Sequence, residues 1–214
     1  MEQLNSTSLL PRRALMKVPR QQRSIEMVHA ILDASRQILQ RDGLAAFTTN
    51  HVADAAGVSV GSLYQYFRNK DALLLGLVER GLFEAQDAAW KSEAVQSAQS
   101  FEEALTVQLR TLIAHLRPRR ASLRELLGGT PLLSETGFMA AVEGMVIECL
   151  GRLESAHGRL PAPPAARFVT VNAMAFTFLR WVTESPAHIR EEEFVDSVVQ
   201  LVVSLQKATL ARAS

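Results

Sequence analysis

The chain has 214 residues, 48% apolar and 21% charged, with a net charge of +1. That composition suits one large or two modest globular domains and excludes a disordered chain. A single cysteine, Cys149, excludes an internal disulfide framework and agrees with a reducing compartment. The N-terminus has no apolar core of signal-peptide length. The longest apolar run, Phe168 to Val182, is too short to span a bilayer and is interrupted by Asn172 and Arg180. The cytoplasm is therefore the expected address.

The small net charge hides an asymmetry. Residues 10–70 hold nine cations against four acids, so this stretch carries +5 and the remainder −4. A basic first third joined to a mildly acidic body fits an N-terminal module that binds a polyanion, although solvated surface charge gives the same bias.

Residues 1–22 read as a flexible basic arm, broken by Pro11 and Pro19. From Ile25 a helical stripe runs through Val28, Ile31, Leu32, Ile38 and Leu39, and Gly43 stops it. A short second helix starts at Thr48 or Thr49 and ends at Gly57. Ser59 caps a third, and Asn69 caps a long fourth helix with Leu73, Leu74, Leu77 and Val78 inward. Further helices are expected near 101–117, 119–128, 132–156, 161–184 and 190–212, the fourth covering 70–94. Breaks fall at 97–100, Pro118, 128–131, 158–164 and 185–186. The fold class is all-α, with about nine helices. An N-terminal three-helix helix-turn-helix domain (23–69) precedes a larger helical effector-binding and dimerisation domain (70–214).

The helix-turn-helix rests on spacing. Two helices crossing steeply within a short turn need a small residue at their contact, here Ala53, and one tolerant of positive φ, here Gly57. Val52, Val58 and Leu63 pin the second helix on the first. That leaves Val60, Gly61, Ser62, Tyr64, Gln65 and Tyr66 to face outward. Small residues permit close approach to a groove floor, Ser62 can bond base edges, and Val60 can pack on a thymine methyl. Thr49, Tyr64, Tyr66 and Lys70 offer hydroxyls and a cation to phosphates. Plain α-hairpin packing, with the tyrosines half-buried, is the other reading of the same spacing.

The stretch ILDASRQILQRDGLAAFTTNHVADAAGVSVGSLYQYFRNKDALL, Ile31 to Leu74, strongly resembles the tetracycline-repressor family of bacterial transcription regulators. The resemblance implies that Thr49, Tyr64 and Lys70 grip phosphates, with Tyr66 an additional contact. It also implies that Asn50, Val60, Gly61 and Ser62 face bases. Asn50 is the best candidate for a bidentate base contact. The arm from Arg12 to Arg23 either adds minor-groove or phosphate contacts or is an idle tail.

The last two helices are apolar on most of their circumference. Phe168, Val171 and Phe178 on one, and Phe194, Val198, Leu201, Val202 and Leu205 on the other, are the candidate interface between two copies. A terminal helix packed on one neighbour needs only one stripe. A large monomer core would use the same residues. A two-fold dimer presents two recognition helices, so its DNA site should be a palindrome. In the middle helices Phe83, Trp90, Leu112, His115, Leu116, Met139, Met145 and Cys149 are candidate lining for a small apolar or amphipathic effector, or plain core. The function these features add up to is a repressor released from its operator by that effector. The expected partners are double-stranded DNA, a second copy and the effector. No cofactor, metal or catalytic group is called for: the five histidines lack metal-ligand spacing, and Cys149 and His157 lack a third orienting group. The alternatives are an effector-independent DNA-binding protein, a protein-interaction module and a helical enzyme.

Overall fold

The computed structural model describes residues 10–129, 137–184 and 186–210, among which every regular element is helical. In chain order these are α1 (Gln22–Asp42), α2 (Thr49–Ala55), α3 (Val60–Tyr64), α4 (Lys70–Lys91), α5 (Glu93–Gln96) and α6 (Phe101–Leu116). A 3-10 turn (Arg117–Arg119) then leads to α7 (Arg120–Gly129), α8 (Phe138–Ala156), α9 (Pro164–Glu184) and α10 (Glu191–Leu210). The expected break at 128–131 and helix start at 132 fall largely on 130–136, outside the described residues. Backbone contacts divide the chain into two units, Met1–Glu84 with Ser122–Ala141, and Ala85–Ala121 with Val142–Ser214.

In the first unit, α1 buries Ile25, Val28, Ile31, Leu32 and Ile38, the expected stripe, and ends at Gly43 with φ 74°. The caps are local and specific. Thr48 accepts the His51 N–H at 3.1 Å, Ser59 the Ser62 N–H at 3.0 Å, and Asn69 Oδ1 the Ala72 N–H at 2.9 Å. Each satisfies an amide that the first turn leaves without a partner. Gly57 has φ 66°, the left-handed conformation that the turn between α2 and α3 requires. Val52, Ala53, Leu63, Phe47 and Phe67 are fully buried around that turn. Gly76 marks the closest approach of α4 to this core: a Cβ there would lie 3.1 Å from both Leu32 Cδ2 and Phe67 Cε1.

Two features of this unit depart from expectation or extend it. The segment before α1, expected to be flexible, is docked from residue 10 onward, with Leu10, Pro11, Ala14, Leu15 and Pro19 buried. The Ala14 N–H donates to Glu79 Oε2 at 3.1 Å and the Met16 N–H to the Tyr66 carbonyl at 2.9 Å. The prolines break helices but leave the apolar residues between them free to pack. Burial pushes the Glu79 carboxyl above its ordinary range, and the Ala14 and Arg13 N–H groups and the Arg13 charge offset this in part. The second feature is an ion cluster joining α4 to α1. Buried Arg80 pairs with Asp33, approaches Glu84 Oε1 at 3.2 Å and donates to the His29 carbonyl at 3.4 Å. Arg36 holds both oxygens of Glu84 at 2.8 and 2.9 Å.

In the second unit, α10 packs on α6 and α9. Leu105, Leu109, Leu112 and Ile113 of α6 meet a core completed by Val146 and Leu150 of α8, Met174 and Phe178 of α9, and Val195 and Val202 of α10. Trp181 and Phe194 stack with centroids 4.4 Å apart, closing the corner between α9 and α10. Buried Glu154 is met by Arg167 at 3.2 Å and by Gln206 Nε2 at 2.8 Å, so a carboxylate inside the unit is paired and hydrogen-bonded, as burial demands. Among the described residues no helix is long and apolar enough to cross a membrane.

Candidate nucleic-acid interface

The start of α3 is partly open to solvent: Gly61 is exposed. Ser59 Oγ lies 2.8 Å from Ser62 Oγ, so the cap residue also orients the Ser62 hydroxyl. Gly61 has only Ser59 Oγ near its missing Cβ, at 3.8 Å. Asn50 is exposed, and Val60 and Ser62 are half-buried. Tyr64 is 44% exposed, and its hydroxyl lies 3.1 Å from Thr49 Oγ1. That contact brings together two hydroxyls fifteen residues apart, from α3 and from the first turn of α2. Lys70 Nζ donates to the Leu44 carbonyl at 3.0 Å and lies 5.8 Å from the Phe47 ring centroid. An ammonium has three donors, so one carbonyl leaves two for an anion.

Tyr66 must be corrected. It is 7% exposed, so its ring packs within the unit and is not a freely exposed neighbour of Tyr64. The physical reason is spacing: neighbours two apart on a helical turn point about 200° away from each other, and with Tyr64 outward Tyr66 turns in.

The second unit encloses a cavity of about 30 Å³, lined by Leu105, Leu109, Leu112, Val142, Met145, Val146, Cys149, Met174, Ala175, Phe178 and Val198 with two amides, Gln86 and Gln108. Leu112, Met145 and Cys149 are expected lining residues that reach it. Trp90, His115 and Leu116 do not line it; Trp90 instead lies under the Arg152 guanidinium at 5.8 Å. Phe83 and Met139 belong to the other unit. The glutamines were missed, although Gln108 stands in phase with Leu105, Leu109 and Leu112 and so was legible as an inward polar residue. Gln108 is 2% exposed and its Oε1 has no hydrogen-bond partner among the described residues. Gln86 Nε2 reaches the Met145 carbonyl only at 3.5 Å.

Cys149 is half-buried, and the apolar packing around its sulfur pushes the thiol up to about 12, with Arg152 opposing and Glu148 adding to the shift. Alkylation by iodoacetamide at pH 8 should therefore run roughly two to three orders of magnitude slower than for an exposed thiol. Rapid labelling of the folded protein, followed by mass spectrometry, would contradict this placement.

The expected interface residues also divide. Val171, Phe178, Phe194, Val198 and Val202 are buried inside their own protomer, and Leu205 is half-buried. Phe168, at 69%, and Leu201, at 40%, are exposed, as are Val169 and Phe176, the latter at 57%. An apolar circumference told nothing about which side the protomer itself would cover.

A short open helix, capped by serine and pinned through a glycine turn on a small helical head, is a helix-turn-helix. Residues 31–77 match the sequence profile of the bacterial regulatory proteins of the tetR family. That match lies within the N-terminal head, so it shows a tetR-type DNA-binding domain there. Tetracycline repressor protein class A from transposon 1721, of Escherichia coli, is 31% identical over 121 residues, 52% of this chain and 56% of that one. The chain thus matches about half the length of that relative. Two solved structures share the fold. The TetR family repressor AlkX from Dietzia sp. strain DQ12-45-1b has a TM-score of 0.60 at 18% identity, over 84% of this chain and 97% of that one. The Thermus thermophilus repressor FadR, solved with lauroyl-CoA, has a TM-score of 0.58 at 21% identity, over 82% and 92%.

Proposed function

We propose that the chain is a repressor that grips a palindromic operator as a homodimer and releases it when a small apolar or amphipathic effector enters the second unit. The observation that carries the DNA contact is the Thr49–Tyr64 hydroxyl pair beside the open start of α3. Two adjacent hydroxyls can hold one phosphate oxygen while Asn50, Val60, Gly61 and Ser62 approach base edges. The relatives named as repressors support the sign of regulation.

Selecting bound duplexes from a random pool and measuring affinity against salt tests this reading. Asn50→Ala should cost about 1–3 kcal/mol and relax preference at one position in each half-site. Lys70→Ala should weaken all sequences alike and flatten the log–log salt slope by about 1. Tyr64→Phe should weaken binding without changing the slope. Failure to enrich any inverted repeat would overturn the proposal.

The effector reading rests on the cavity and on Gln108. A volume of about 30 Å³ holds about one water, whereas ligand pockets measure roughly 300–1,000 Å³, so binding must spread α6, α8 and α9. The unpaired Gln108 Oε1 favours an effector with an apolar body and one hydrogen-bond donor. Because α4 supplies both Gln86 and Lys70, spreading the cavity wall acts on the helix that carries a phosphate ligand. Release follows if the effector binds the spread state more tightly. Gln108→Leu should stabilise the empty protein by about 1 kcal/mol, seen as a Tm rise of about 2–4 °C, and should blunt release. A lowered Tm would remove Gln108 from this role.

A further inference from the structure

We infer that residues 10–23 form a second DNA-contacting element, a basic strap fastened to the first unit so that its cations lie beside the recognition helix. The inference rests on the DNA-binding reading and extends it beyond the helix-turn-helix. Between Gln3 and Ile25 the chain carries five cations, Arg12, Arg13, Lys17, Arg20 and Arg23, and no acid. The strap is not a loose tail. Its apolar residues Leu10, Ala14 and Leu15 are buried, and the Ala14 and Met16 amides are bonded to Glu79 and to the Tyr66 carbonyl. All five cations are exposed. Arg13 interacts with Glu79, but none of the other four forms an ion pair with a described carboxylate, unlike the arginines of the helical body.

Location supplies the rest. Met16 is bonded to the residue two beyond Tyr64. A chain spans at most about 3.6 Å per residue, so the backbone of Lys17 to Arg20 stays within about 20 Å of that carbonyl. When α3 enters a major groove, positive charge at this distance meets the flanking sugar-phosphate backbone or the adjacent narrower groove. Ordering the backbone in advance lowers the entropy that a flexible arm would lose on binding. The buried carboxylate of Glu79 explains its own cost in the same way: it holds the strap by accepting the Ala14 amide.

The test uses the full chain and a fluorescein-labelled 30-base-pair duplex of mixed sequence, with affinity measured from low to moderate salt. Arg12→Ala, Lys17→Ala and Arg20→Ala together should flatten the slope of log K against log salt by about 2–3, at about 0.9 per lost contact. Affinity near physiological salt should fall at least tenfold, and Tm should stay unchanged. Arg12→Lys with Arg20→Lys should keep the wild-type slope, since it preserves charge. A control with Arg110→Ala, Arg180→Ala and Arg190→Ala removes as much charge from the second unit. If the control flattens the slope as much as the strap variant does, or if the strap variant keeps the wild-type slope, the strap proposal fails while the helix-turn-helix reading stands. If the wild type binds no duplex at all, both fail.

Discussion

Phe168→Glu combined with Phe176→Glu is expected to leave the protein monomeric at micromolar concentration, where the proposed homodimer would otherwise form. These side chains project from α9 at spacing eight, about two helical turns apart, and among the described residues both stay largely uncovered. Burying each contributes about 1.5–3 kcal/mol, and a glutamate would put an unpaired charge into the same contact. The protomer should keep its fold, because the buried Val171, Met174 and Phe178, on the adjoining flank of α9, carry the internal packing. Affinity for an inverted repeat should fall at least a hundredfold, since each monomer then engages one half-site without the gain from a linked second one. Light scattering after gel filtration reads the first effect and fluorescence anisotropy the second. A double variant that remained dimeric would move the interface elsewhere.

Arg80→Ala is expected to cost about 2–4 kcal/mol of stability. The guanidinium is buried among Asp33, Glu84 and the His29 carbonyl, and its removal discards both the packing of its stem and the pairing of α4 with α1. The full penalty for an orphaned buried charge does not apply, because Asp33 remains open enough to rehydrate. Arg80→Met keeps the stem volume and should lose about half as much. Urea unfolding followed by circular dichroism would show these differences as shifted midpoints. A change within about 0.5 kcal/mol would mean that the cluster is ordinary surface charge.

Local chemistry was legible in the residues. Thr48, Ser59 and Asn69 had to cap something, Gly57 had to turn, and the stripe from Ile25 to Ile38 had one possible period. These features involve neighbours in sequence, so short-range physics settles them. The α9 and α10 boundaries, expected at 161–184 and 190–212, are close to Pro164–Glu184 and Glu191–Leu210 for the same reason. The short α5 was missed because Ser92 breaks the long helix by capping a new turn, its hydroxyl accepting the Val95 N–H at 3.3 Å.

What could not be read depends on tertiary company. Leu10 and Leu15 are apolar residues between prolines, and nothing near them in sequence says that Glu79 and Tyr66 will receive the segment. Phe176 and Phe178 are equally apolar, yet one is exposed and the other buried, because only the packed protomer decides which flank of α9 it covers. Tyr66 is the intermediate case. The phase of a helical turn already argued against two outward tyrosines, and the periodicity deserved more weight than the hydroxyl.

The open space around Gly61 bears on how this regulator could diversify. A side chain added there would meet nothing closer than an ordinary contact with Ser59 Oγ at 3.8 Å, and an alanine would improve helix propensity by about 1 kcal/mol. The position can therefore change its chemistry without disturbing Leu63, Phe67 or the rest of the scaffold. On the proposed DNA-binding reading, a lineage descending from this chain could alter its base preference by single substitutions at residue 61 and keep the packing of the head as it is.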